Sequence, residues 1–184
     1  MAMQKINPEE WGKDVFDAIG RQWFLLTAGT EESGWNCMTC SWGSAGVLWN
    51  KPSVTCYVRH SRHTFGFMEN QDCFTISFFG EAQRKALSFC GSHSGRDCDK
   101  AAEAGLHPVA IAGGMTFAEA EMVFVCKKRY AAEMEIMDIP ADAVSAFYGG
   151  NDPHKLYIGE IIACYKNTEV SPADSERSAA HFYG

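Results

Sequence analysis

Three short stretches hold residue types whose spacing could do chemistry. The first, NCMTCSWG from Asn36 to Gly43, sets Cys37 and Cys40 in a C-x-x-C spacing, the pattern of a redox disulfide or of half a zinc site. The second, VRHSRHTF from Val58 to Phe65, clusters Arg59, Arg62 and Thr64 around Ser61. The third, SHSGRDCDK from Ser92 to Lys100, gathers Ser94, Gly95, Arg96 and Lys100.

The cysteine spacing is not read as a metal or disulfide site. A redox C-x-x-C sits at a helix N-terminus, where the dipole lowers a thiol pKa, and nothing after Cys37 signals a helix. A structural zinc site takes four ligands, usually with a second close pair. Cys90 and Cys98 lie too far apart in sequence to supply it. If Asn36–Trp42 is a strand, its side chains alternate. Cys37 then shares a face with Thr39 and Ser41, while Met38, Cys40 and Trp42 share the other. The strand edge would offer a ladder of N–H and C=O groups to a planar heteroaromatic ligand.

The other two stretches carry charge. Ser61 is a plausible helix cap, with Arg62, His63 and Thr64 in the first turn. A helix N-terminus with free N–H groups accepts anions, and two guanidiniums and a hydroxyl would strengthen it. The alternative is a simple cap with both arginines solvated. In the third stretch Ser94 and Gly95 form a turn, Asp97 can cap the next helix, and Arg96 and Lys100 supply positive charge. Its alternative is a capping loop with surface ions. Two such clusters in a chain of net charge −7 suggest one shared anion pocket.

The elements that must position these residues are mostly strands. QWFLLTAG, GWNCMTCSW, SVTCYVR and DCFTISFF follow in quick succession, and KLYIGEIIACYK comes late. Between them lie helices around Glu81–Phe89 and Asp97–Ala104, a short HPVAIA segment, one bent strand or two within AEAEMVFVCKKRYAAEMEI, and a helix in ADAVSAFYGG. An opening helix is expected from an Asn7 cap and Pro8, with Val15, Phe16 and Ile19 facing inward and Gly20 ending it. Many strands at short spacing point to a mainly β, antiparallel barrel or sandwich. No G-x-G-x-x-G follows a strand, so no Rossmann fingerprint is visible.

The 184 residues suit a single domain over 1–184, with a core about 14–165 and a tail from 166 that looks loose from Ser171. No apolar run reaches the roughly 20 residues of a membrane span, and the polar N-terminus lacks a signal-peptide core, so a cytoplasmic protein is expected. The acidic balance argues against a nucleic-acid surface. The eight cysteines are then expected reduced and packed as small hydrophobes.

Four motifs in order carry a resemblance: N-x-M-T-x-S-W-G at Asn36–Gly43, V-R-x-S-R-x-T at Val58–Thr64, F-T-I-S-F-F at Phe74–Phe79 and S-G-R-D-x-D-K at Ser94–Lys100. The chain resembles the flavin reductase-like, FMN-binding split-barrel family, closest to its flavoredoxin-type branch, from about Asp14 to Ile162. The resemblance implies a six-stranded antiparallel split β-barrel with peripheral helices, usually a homodimer. It implies FMN, with Asn36 and Met38 to Trp42 (Met38, Thr39, Cys40, Ser41, Trp42) along the isoalloxazine. Arg59, Arg62 and Thr64 would approach the phosphate, and Ser94, Gly95, Arg96 and Lys100 would complete that side. Ser77, Phe78 and Phe79 would border the ring or the ribityl chain. His154 matches a histidine near the flavin in relatives, or is a surface histidine in a turn; no catalytic residue is otherwise indicated. The expected activity is oxidation of NADH or NADPH through FMN to an acceptor, the alternative an electron carrier reduced by a protein partner.

Overall fold

Ser41 and Trp42 are the two residues around which the architecture turns. In the computed structural model, which describes residues 2–169, β3 (Gly34–Cys40) ends just before them and β4 (Gly43–Leu48) begins just after. Yet β3 and β4 lie at opposite ends of the main sheet. Its order is β3–β2–β6–β9–β10–β5–β4, where β2 is Phe24–Thr30, β5 Lys51–Arg59, β6 Cys73–Phe78, β9 Met122–Glu133 and β10 His154–Asn167. An eighth strand, β1 (Met3–Ile6), pairs with β10. Two linking residues span at most about 10 Å, so the sheet must curl until its ends nearly meet. No ladder joins β3 to β4, and the result is an antiparallel barrel with a split.

Alternation along the strands fills the barrel. Phe24, Leu26 and Ala28 of β2, Phe74, Ile76 and Phe78 of β6, and Phe124 and Cys126 of β9 belong to one buried cluster. Met38 and Cys40 of β3 meet Val54, Cys56 and Val58 of β5 in that same cluster, across the split. Trp11 plugs one end against Phe78 and Phe124, at ring distances of 4.8 and 5.0 Å. The opposite face of the sheet forms a second cluster, in which Leu25, Cys37 and Val123 pack with Leu87, Cys90 and Phe117. That face is covered by α2 (Arg84–Ser92), α3 (Lys100–Ala104) and the hairpin β7–β8 (Pro108–Ile111, Gly114–Phe117). Cys37 and Cys40 thus face different clusters, as strand alternation requires, and all eight cysteines are free.

Among the described residues the other α-helices are α1 (His63–Asn70) and α4 (Ala141–Phe147). Several local expectations are corrected. The opening helix is two short pieces, Pro8–Trp11 and Asp17–Arg21, separated by Gly12 at φ 69°. Asn7 does cap the first, accepting from Glu9 N at 3.2 Å, but Phe16 faces solvent at 84% exposure. Ser61 is no cap: its hydroxyl donates to Asp152 at 2.5 Å, and α1 starts after Arg62 without a side-chain cap. Asp99, not Asp97, caps α3, accepting from Ala102 N at 3.1 Å. Among the described residues the main sheet has eight strands, against the six the resemblance implies. Strand β10 runs to Asn167, past the expected core limit, and the tail from Ser171 lies outside the described residues.

Candidate functional site

The split opens onto three adjoining chambers. The first, of about 480 Å³, is lined by the second and third sequence stretches: Arg59, Arg62, His63 and Thr64 on one side, Ser94, Gly95, Arg96 and Lys100 on the other, with Asn36 and Met38 as floor. The middle chamber, about 180 Å³, shares Met38, Arg59 and Arg62 with the first and adds Thr39, Cys40, Ser41, Trp42, Tyr57 and His154. The third, about 610 Å³, shares Ser41, Trp42 and Tyr57 with the middle one. Together they form a trough along β3 from a basic end to an apolar end.

The two basic turns are tied to each other. Strand β5 ends at Arg59, the chain turns (Arg62 N donates to Arg59 O, 3.1 Å), and α1 begins. Across the chamber, α2 gives way to the Ser94–Asp97 turn before α3. The Arg62 guanidinium donates to Gly91 O, in the last turn of α2, at 2.9 Å, and Arg96 to Ser61 O, in the turn before α1, at 3.2 Å. A guanidinium has five N–H donors, so these bonds leave donors on both for a ligand. Asn36 joins the first stretch to the second, donating from its amide nitrogen to Thr64 Oγ1 at 2.8 Å. A Cβ on Gly95 would sit 2.0 Å from Asn36 Oδ1, so only glycine lets the third stretch approach this closely. Lys100 is 5% exposed and donates from Nζ to Cys37 O and to Cys90 O, the latter at 3.1 Å. It lines the chamber with its ammonium pinned to β3 and α2.

This arrangement makes the first chamber electropositive. Burial, then the neighbouring Arg96 and Lys100 charges, hold the His63 pKa below its usual value. One carboxylate, Asp152, also lines the chamber. The first turn of α1 adds backbone N–H groups without intrahelical acceptors. The set suits a phosphoryl dianion.

The middle chamber is differently built. His154, the first residue of β10, is 8% exposed and pairs with Arg59 in the β5–β10 ladder. Its Nδ1 lies 2.9 Å from the Tyr148 hydroxyl, and its ring centroid is 5.2 Å from that of Trp42. Burial, then Arg59, pull its pKa down to about 4, so at neutral pH it is an uncharged imidazole. Arg59 donates to Phe147 O at 2.8 Å and to Asp152 O at 3.0 Å, which staples the segment carrying Tyr148 over the chamber. Thr39 spends its hydroxyl on Leu87 O at 2.5 Å. Burial pushes the Cys40 thiol up to about 12, so it presents an uncharged surface.

Thus fourteen of the expected residues line the first two chambers, His154 among them. Three do not. Ser77 is wholly buried, sharing a hydrogen bond with Thr116 at 2.9 Å. Phe78 fills the barrel interior, and Phe79 packs in the second cluster, 6.2 Å from Phe117. Alternation along β6 and into Phe79 just after it sends these side chains to the cores, away from the trough. Sequence reasoning missed Tyr57, Tyr148 and His63. Tyr57 could have been found, because it shares a strand face with Arg59 two residues on. Tyr148 had no local signal; only the return of β10 beside β5 brings it here.

Comparisons with known proteins agree with this fold. The sequence profile of the family described as flavin reductase like domain matches residues 16–180, and the chain belongs to that family. Among solved structures, an FMN-binding domain of flavin reductases-like enzyme from Shewanella baltica superposes with a TM-score of 0.66 at 18% identity, covering 93% of this chain and 80% of the other. Flavoredoxin from Methanosarcina acetivorans gives 0.65 at 19%, with 95% and 80% covered. Flavoredoxin of Desulfovibrio vulgaris (Miyazaki F) gives 0.64 at 20%, with 92% and 81% covered. These are likenesses of fold. A comparison with curated protein sequences returns no match. Among the described residues no helix is long and apolar enough to cross a membrane.

Proposed function

We propose that the trough binds FMN and that the protein is an NAD(P)H-dependent, flavin reductase-like oxidoreductase. The observation that carries this reading is the convergence of two basic turns on one chamber, continuous through Met38, Arg59 and Arg62 with the edge of β3. Arg62, Arg96, Ser94 and the first turn of α1 would hold the phosphate. Met38 to Trp42 would run along the ring, with Trp42 and Tyr57 at its far end. The family and the solved structures of FMN-binding relatives support the same cofactor.

Bound FMN would supply the redox chemistry, accepting a hydride and passing on electrons. The chain's task is placement and electrostatics. The ladder groups of edge strand β3 can hydrogen-bond ring heteroatoms, and charge that develops on a reduced ring is stabilised by such preorganised donors. Neutral His154, oriented by Tyr148, offers a ring nitrogen without adding a positive charge beside the cofactor. Cys40, Met38 and Trp42 exclude water along one side.

A homodimer belongs to the same reading. Strand β4 is an end strand whose Val47 is 74% exposed, next to Trp49 at 63%, an apolar edge suited to a second copy. Size-exclusion chromatography with light scattering reads this directly.

The second reading, an electron carrier reduced by a protein partner, is favoured by the likeness to two flavoredoxins. Mixing FMN-loaded protein with NADH or NADPH under nitrogen separates the two. Bleaching of the flavin within seconds by either nucleotide supports the oxidoreductase; no bleaching by both supports the carrier.

A further inference from the structure

The third chamber differs from the first in one respect that matters for chemistry: it has no charge. About 610 Å³ in volume, it is walled by Val15, Ile19, Met134 and the rings of Trp42, Tyr57 and Tyr148, and no residue lining it is acidic or basic. Its lining carries the hydroxyl residues Ser41, Ser44 and Tyr57, with Tyr148, whose hydroxyl is paired with His154 Nδ1 at 2.9 Å; an unpaired hydroxyl can donate to a carbonyl oxygen. Trp42 is fixed rather than loose, its ring edge-on to Phe147 at 5.1 Å and tilted against His154 at 5.2 Å.

We infer that this chamber seats the electron acceptor, and that the acceptor is an uncharged planar dicarbonyl compound of the quinone class. The inference rests on the proposed placement of the flavin in the adjoining chambers. Continuity through Ser41, Trp42 and Tyr57 puts an occupant next to the ring's far end. A highly charged acceptor, such as an iron complex anion or a second flavin with its phosphate, would lose hydration here and meet no counter-ion. A flat apolar ring finds three aromatic side chains in the lining, Trp42, Tyr57 and Tyr148, and its carbonyls find hydroxyl residues. The step balances as reduced nucleotide plus quinone plus one proton giving oxidised nucleotide plus hydroquinone. Both electrons and one proton come from the nucleotide's hydride, and the second proton comes from solvent. The quinone's two C=O groups become C–OH as its ring turns aromatic.

Menadione, an uncharged naphthoquinone, is the probe. Added to oxidised, FMN-loaded protein, it should shift the flavin absorption bands saturably. Gly20 lines the chamber, and a Cβ there meets nothing within 4 Å, so Gly20→Phe can enter the space without displacing backbone. That variant should weaken the menadione titration at least about tenfold, equivalent to about 1.4 kcal/mol, and leave FMN uptake unchanged. In turnover, menadione should exceed ferricyanide in kcat/KM by about tenfold or more. Ser44→Lys, at an exposed position of β4, should reverse part of that preference whatever becomes of Gly20→Phe. Protein that fails to take up FMN overturns the flavin reading itself. Protein that holds FMN but shows no spectral response to menadione, or reduces ferricyanide as well as menadione, overturns the acceptor class alone.

Discussion

Lys100 lines the basic chamber while its ammonium is already committed to the protein. The sequence places it among the phosphate residues, but its ammonium is committed to two backbone carbonyls, those of Cys37 and Cys90. Replacing it with Met takes a donor from both carbonyls, though Cys37 O keeps the Asn36 amide at 3.2 Å; a buried acceptor left unpaired costs about 1–3 kcal/mol, so Lys100→Met should lower the melting temperature even without FMN. Arg62 is the cleaner probe of the phosphate. Arg62→Ala should weaken FMN binding by about 1.5–3 kcal/mol in a fluorescence titration, with a smaller change in melting temperature. His154 gives a pH signature. Its pKa is depressed in the fold, to about 4 from about 6.5, so the native state resists protonation. Stability is then full above about pH 6.5 and falls as the pH drops toward 4. A pH series of melting curves should show this slope, and His154→Phe should flatten it.

At the scale of elements, the site is a consequence of the split. A two-residue link between strands at opposite ends of a sheet forces closure, and incomplete closure leaves β3 with an unpaired edge beside the chambers. The third stretch docks on that edge only because residue 95 has no side chain. Gly95→Val should push the Ser94–Asp97 turn off Asn36, cutting FMN affinity at least about tenfold (about 1.4 kcal/mol) while the barrel, whose core it does not touch, melts within a few degrees of the native protein. Differential scanning fluorimetry beside an FMN titration reads both. The long strands were legible in the sequence because apolar alternation and β-branched residues mark them: FLLTA, VTCYV and FTISF announce their faces. GSAGVL was not, since its glycines and serine carry no strand propensity and only pairing with β5 extends it. The opening helix failed for a related reason. Gly12 in the left-handed region breaks the chain, and Phe16 loses its inward direction.

At the scale of the whole molecule, an acidic protein keeps a strongly basic chamber inside it, with Arg59, Arg62, Arg96 and Lys100 set against Asp152. That contrast was readable, since two cationic turns in a chain of net charge −7 implied a common anion. Which side chains would border the ring or the ribityl chain was less so: Ser77, Phe78 and Phe79, expected there, turn to the cores, and parity relative to a distant trough is a property of the closed barrel. Because the unfolded chain lacks the chamber, FMN at about a hundred times its dissociation constant should stabilise the fold by about 2.7 kcal/mol. The most direct test of the central claim is the visible absorption of the protein after FMN is added in excess and unbound flavin is removed by desalting. Retained flavin bands at close to one FMN per chain, reduced in proportion to Arg62→Ala and Gly95→Val, are the predicted result. Colourless protein, with all the flavin in the small-molecule fraction, would contradict it.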